Sequence, residues 1–429
     1  MPKNSSFNLI IGFLVSLNLI VFGVAIWIHK PSFLPIFKDG LSTPSPSLKS
    51  PQAVEPETAT PPKKDLPKPT TATLNTYFMG DVFWGRYMDD WAKASDLGYA
   101  YPFSGLDTFD KAKEDVWIAN LECPITPVYR NSSQQEKILK FSCLPEYLPE
   151  ASKWFEAFSL ANNHTDNMQE VDGFRLTKDF LQQYQIQHFG HYDNAYQQEI
   201  CEVVSFEGTF GFESKAQQEE YLQLLNKTQP QILQDYKQAK IVKSKQIPIA
   251  LCGYHNVFRL PTQKELEQIS KYSEFLPVVV MPHQGAEYGS KADSLQTKTF
   301  RQMVDKGADA VISGHTHTVH NGEIYKDKLI AYSVGNFIFD QQFSKEVTQS
   351  LIVNLRFDFE IDQNFEKWLE LAPKCQKYLD DCLQQAKQKG LSKPKFEIKH
   401  DFWVGDSSNK LTKKADTATT KAVLDRVGL

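Results

Sequence analysis

Residues 307–320 read Gly-Ala-Asp-Ala-Val-Ile-Ser-Gly-His-Thr-His-Thr-Val-His. Ala308 to Ile312 is a short apolar run of the kind that forms a buried strand. Directly after it the chain presents Gly314-His315-Thr316-His317, two imidazoles two residues apart at the point where a strand becomes a loop.

Working outward, the same grammar recurs. Further strands are expected at Leu74 to Met79, Val116 to Asn120, Ala157 to Leu160, Pro248 to Cys252, Pro277 to Met281 and Leu329 to Ser333, alternating with longer amphipathic stretches. That alternation is the signature of an α/β fold. The endings are Gly80-Asp81, Asn120-Leu121-Glu122, Asn162-Asn163-His164, His283-Gln284-Gly285 and Gly335-Asn336. Taken singly, each reads as an ordinary turn, cap or loop hydrogen bond. In an open α/β sheet, however, ligands bind outside the carboxyl ends of the strands, so these endings are expected to converge on one rim.

Together they offer Asp81, Glu122, Asn163, His283, His315 and His317. A mixture of carboxylate, amide oxygen and imidazole suits a divalent Mn, Fe or Zn ion rather than a soft thiolate metal. Six donors suffice for two ions sharing a carboxylate, which points to metal-assisted hydrolysis.

The blocks MGDVFWGR, NLECPIT, SLANNHTDN, VVVMPHQGAEY, GADAVISGHTHTVH and AYSVGNFIFDQ, in that order over roughly residues 74 to 342, resemble the CapA family of poly-γ-glutamate capsule biosynthesis proteins, whose domain is related to the calcineurin-like metallophosphoesterases. The resemblance implies a four-layer α/β/β/α sandwich. It implies Asp81 and His317 as ligands of a first metal, Glu122 as the bridging carboxylate, and Asn163, His283 and His315 as ligands of a second. It also implies that His164 is the catalytic general acid or transition-state donor, a role that suits an imidazole. The chain departs from the related phosphoesterases after Asp81, where Val82 and Phe83 stand in place of an Asp-x-His motif, so the first ion has one imidazole fewer and the site holds one or two ions. It reads His-Gln-Gly at His283 and Gly-His-Thr-His at His315, where CapA relatives usually have His-Trp-Gly and Gly-His-Pro-His. Arg86, Glu287, Tyr288 and Asn336 fall in the same blocks and are candidates for substrate binding, as is Asp340 beside them; a salt bridge or packing is the alternative for each.

Outside these blocks the chain is easier to classify. Of 429 residues, 41% are hydrophobic and 23% charged, the composition of a globular protein. The net charge of −5 argues against a nucleic-acid partner held by bulk positive charge. Phe7 to Ile28 is a run of 22 residues without a charge, read as an uncleaved transmembrane signal anchor within residues 1–30. Residues 31–70 contain ten prolines and read as a disordered, extended linker. Residues 71–360 form the expected domain, with a helical insertion at about 208–245, and residues 361–429 an extension with a helix near Leu369 to Lys389, a strand at Phe396 to Val404 and a polar end. The six cysteines show no metal-binding spacing, leaving three disulfides or buried thiols as alternatives.

Two functions follow from this reading. One is a bacterial, single-pass membrane protein with an extracytoplasmic metal-dependent hydrolase domain acting on an anionic envelope polymer such as poly-γ-glutamate, or on a phosphoester. The other is a non-catalytic accessory protein that binds the polymer or a membrane synthase complex during export.

Overall fold

A computed structural model describes residues 69–212, 214–228, 246–375 and 381–429. The expected anchor at Phe7 to Ile28 and nearly all of the linker lie outside the described residues. So does the part of the expected insertion from 229 to 245. Among the described residues no helix is long and apolar enough to cross a membrane.

The described chain is a mixed α/β fold with two sheets. In chain order the strands are β1 (Thr71–Val82), β2 (Asp115–Leu121), β3 (Ala157–Ser159), β4 (Gln187–Phe189), β5 (Cys201–Glu207), β6 (Thr209–Gly211), β7 (Gln246–His255) and β8 (Val278–His283). They continue with β9 (Ala310–Ile312), β10 (Gly322–Tyr325), β11 (Lys328–Ala331), β12 (Asn336–Ile338), β13 (Gln349–Glu360), β14 (Phe396–Asp406) and β15 (Lys413–Lys414). One sheet runs β15-β14-β13-β1-β2-β3-β4, with β6 and β12 also pairing with β1; the other runs β10-β11-β9-β8-β7-β5. β1, β2, β3 and β4 are mutually parallel, as are β7, β8, β9 and β11, so each sheet gathers a set of carboxyl ends on one edge.

The period of two along β1 and β2 explains how the first sheet is buried on both faces. Leu74 and Phe78, with Val116 and Ile118, join a core shared with Ile249, Leu251, Val279 and Val311 of the second sheet. The alternate residues Tyr77, Met79, Trp117 and Ala119 face a separate core with Trp84, Phe103 and Phe158. Each fully buried large apolar side chain contributes roughly 1.5–3 kcal/mol. Gly80 is required where β1 passes β12, because a Cβ there would overlap the carbonyl of Gly335.

Several details differ from the sequence expectations. Thr209–Gly211, inside the expected insertion, pairs with Thr71–Thr73 at the start of β1, and among the described residues of that region Lys215–Thr228 is helical. In the region of the expected helix from Leu369 to Lys389, Gln363–Cys375 and Asp381–Gln388 are helical, and residues 376–380 lie outside the described residues. β14 pairs with β13 along its length, so residues beyond 361 complete the first sheet. The end of the chain is not merely polar: Asp416 caps a helix, Thr417–Val427, that buries Val423 and Val427. All six cysteines are paired, as Cys123–Cys143, Cys201–Cys252 and Cys375–Cys382, which removes the free-thiol alternative.

Candidate metal centre at the strand ends

Parallel register brings distant residues together. Asp81 near the end of β1 lies opposite Asn120 of β2 on one side and Asn336 of β12 on the other. Glu122 follows β2, His283 ends β8, and His315 and His317 follow β9. His315 and His317 both have left-handed backbones, at φ 90° and 59°, a strained choice for non-glycine residues that is concentrated at functional sites. Gly314 is needed beside them, since a Cβ there would come within 2.9 Å of Asp81 Oδ1.

Two groups of donors result: Glu122 with His283 and His315, and Asp81 with Glu122 and His317, each with its ligand atoms within 4.8 Å of one another. Glu122 belongs to both, and every member is buried. Glu122 Oε1 lies 3.5 Å from His283 Nε2, and Asp81 Oδ2 lies 3.5 Å from His317 Nδ1.

Both Glu122 oxygens, Asn163 Oδ1, His283 Nε2 and His315 Nδ1 are buried without a hydrogen-bond partner. Leaving one buried polar atom unsatisfied costs about 1–3 kcal/mol, so a convergent set of them is a poor structural core and a good cation cradle. Electrostatics agree. Burial, followed by the charge of Asp81, pushes the Glu122 carboxyl well above its usual range. Burial also drives His283 well below the ordinary imidazole value and takes His315 down to about 3, with neighbouring histidines adding to both shifts. Burial opposes protonation of His317 too, but the hydrogen bond and charge of Asp81 raise it. A divalent ion requires neutral imidazoles and ionised carboxylates, so His283 and His315 are already in the state it needs, whereas Glu122 and His317 would release protons on binding it. The donor set therefore fits a metal ion.

The other expected residues fall in distinct places. His164 stands at the rim with Nε2 4.0 Å from Glu122 Oε1, its ring stacked on Phe141 at 4.0 Å between centroids. Asn163 is in the same loop. Tyr288, half-exposed, stacks on His317 at 5.7 Å and accepts a hydrogen bond from Gln341 on its hydroxyl. Glu287 beside it is exposed, and its charge contributes to raising Glu122. Arg86 is held by both oxygens of Asp340, at 2.8 and 2.5 Å, and packs over Phe141, so the salt bridge that the sequence offered as an alternative is what forms. Asn336 is buried with Oδ1 2.8 Å from His317 Nδ1, while its amide nitrogen donates to Gln341 and to the Val347 carbonyl; it supports the histidine from behind.

Some supporting residues carried no role in the sequence reading. Asn120 donates to Asp81 Oδ1 and sits 3.4 Å from His283 Nδ1. Asn162 in turn donates to Asn120 Oδ1 and the Leu121 carbonyl. Both occur in the strand endings, where their position was the available signal. Phe141 had no signal of that kind, and His255, the register partner of His283, ends β7 three residues beyond the expected strand Pro248 to Cys252.

The family model described as "Bacterial capsule synthesis protein PGA_cap" matches residues 75–341, more than half of the chain. A Bacillus subtilis (strain 168) protein named "PGA biosynthesis protein CapA" is 25% identical over 297 residues, covering 68% of this chain and 70% of that protein. The Bacillus anthracis "Capsule biosynthesis protein CapA" is 39% identical over 75 residues, and the chain spans only 18% of the length of that relative. Among solved structures, "GAP50 the anchor in the inner membrane complex of Plasmodium" superposes with a TM-score of 0.31 at 12% identity, covering 68% of this chain and 85% of that one.

Proposed function

The chain belongs to the bacterial capsule synthesis protein family, and from that premise we propose that it is a metal-dependent hydrolase of an anionic envelope polymer, with poly-γ-glutamate the first candidate and a phosphoester the second. The observation that carries this reading is the pair of buried donor groups sharing Glu122, whose two oxygens have no protein partner. A scaffold gains nothing from burying unsatisfied carboxylate beside three histidines.

In this reading Asp81 and His317 would hold a metal on one side of the centre, Asn163, His283 and His315 on the other, and Glu122 would serve both sides. One or two ions of Mn, Fe or Zn would, when bound, supply Lewis acidity to water and to the acyl or phosphoryl centre. His164, beside Glu122 and open to the rim, handles a proton or hydrogen bond of the reacting groups. Tyr288 walls the site next to His317, and Glu287 faces solvent at its mouth. Arg86 acts through Asp340 and Phe141, as a rigid support. With a net charge of −5, the protein needs a local positive focus to attract a polyanion, and a loaded centre provides one. The finer fold assignment, a four-layer α/β/β/α sandwich of the metallophosphoesterase type, belongs to the same proposal. So do anchorage through Phe7 to Ile28, an extracytoplasmic domain, and docking to a membrane synthase.

The test is turnover. The full-length protein, loaded in turn with Mn, Fe or Zn, is incubated with poly-γ-glutamate and with p-nitrophenyl phosphate. Metal-dependent cleavage of either, lost in His164→Ala, supports the proposal. A loaded protein that binds the polymer and cleaves neither substrate would instead be an accessory protein.

A further inference from the structure

The hydrogen bonds around His164 determine which of its nitrogens carries the proton. Asn167 Oδ1 lies 2.8 Å from the backbone nitrogen of Phe141 and 2.8 Å from His164 Nδ1. A backbone N–H can only donate, so the Asn167 atom it meets is the amide oxygen, an acceptor. An amide oxygen cannot donate to His164 in turn, so Nδ1 of His164 must carry a hydrogen. The opposite end of Asn167 agrees, because its Nδ2 faces the Asn163 carbonyl at 3.3 Å. The amide orientation is thus dictated twice.

In the neutral imidazole a proton on Nδ1 leaves Nε2 with a lone pair. Nε2 is the nitrogen on the Glu122 side, 4.0 Å from Oε1, in a side chain that keeps 14% exposure. The ring cannot readily turn to present its other edge, because Phe141 stacks on it and the His164 backbone is fixed by the Asn162 side chain. Phe141 is itself secured: Cys143, two residues on, exchanges hydrogen bonds with Pro124 and Thr126 and is disulfide-bonded to Cys123, next to Glu122.

We propose that Asn167 is a positioning residue that holds His164 in its Nδ1–H tautomer, so that neutral His164 accepts a hydrogen bond at Nε2 from the reacting water or substrate. This differs from the donor role that the family resemblance implies. It rests on the geometry around His164 and not on the choice of substrate. An asparagine in this position fixes the tautomer without adding a charge, whereas an aspartate would also stabilise the imidazolium.

The experiment is a long-range proton–nitrogen NMR spectrum of the full-length, zinc-loaded protein labelled at histidine nitrogens, with the His164 signals identified by their loss in His164→Gln. The wild type is expected to show His164 protonated at Nδ1 and bare at Nε2. Asn167→Leu should lose that single-tautomer signature while zinc content is unchanged, and Asn167→Asp, which keeps an acceptor, should restore the proton on Nδ1 at a pH high enough to keep the imidazole neutral. A wild-type His164 protonated at Nε2 would overturn the proposal, as would an Asn167→Leu protein with an unaltered His164 spectrum. If Asn167→Leu does not fold, the wild-type spectrum decides alone.

Discussion

Glu122 carries an electrostatic conflict, since burial and Asp81 both oppose its ionisation. Its folded pKa lies above the unfolded value, so the folded, metal-free chain binds the extra proton, and stability falls as pH rises from the ordinary carboxylate range through the raised one. In urea unfolding of chelator-treated protein between about pH 4.5 and 8, the wild type should lose stability relative to Glu122→Gln as pH rises, the depressed His283 and His315 acting in the opposite sense in both proteins. Parallel curves for the two proteins would contradict the assignment. The Arg86–Asp340 pair makes the opposite point, a buried charge that is already compensated, with side chains 10% and 0% exposed. Asp340→Ala strands the guanidinium and should cost about 3–5 kcal/mol in urea unfolding, while Arg86→Met with Asp340→Leu should recover much of that loss. At this scale the sequence was informative where chemistry sat in a strand ending, as with Asp81, Glu122 and the three histidines. It was silent on Phe141, and it offered a salt bridge for Arg86 without naming Asp340 as the partner, because partners 254 residues apart leave no local pattern.

Elements explain why the site is rigid. The Cys123–Cys143 bond closes a loop of 20 residues between the end of β2 and the segment that carries Phe141. Replacing both cysteines by serine should cost about 3 kcal/mol and, because Glu122 is next to Cys123, should also weaken metal binding. The same change at Cys375 and Cys382, which are 7 residues apart and tie one helix to the next, should leave metal affinity untouched. Equal metal affinity in both double variants and wild type, read by competition with a chelating dye, would sink this coupling. Long apolar strands such as β1, β2, β7, β8 and β13 were legible because their length and β-branched content admit little else. β4 and β12 were not, since Gln187–Phe189 and Asn336–Ile338 are three residues each and owe their pairing to neighbours already in place. The terminal helix was also missed; it buries Val423 and Val427 and half-buries Leu424 in a stretch otherwise rich in threonine, alanine and charge, and its clearest mark is the Asp416 cap.

For the whole molecule, a site that exists only in the folded chain links metal to stability. A metal present at a hundredfold its Kd should add about 2.7 kcal/mol, so chelation should lower the melting temperature and Zn or Mn should restore it. Convergence of strand endings spread over more than 200 residues was readable because parallel sheets gather carboxyl ends on one edge, a rule of topology that needs no knowledge of individual contacts. The number of ions was not readable, as it depends on distances between side chains that meet only in three dimensions. The decisive measurement is therefore elemental analysis of the purified protein alongside His283→Ala and His315→Ala. One or two Mn, Fe or Zn ions per chain in the wild type, lost from both variants, is the expected result; a wild-type chain that holds no metal even after reconstitution would show that the buried donors at the strand ends are not a metal centre.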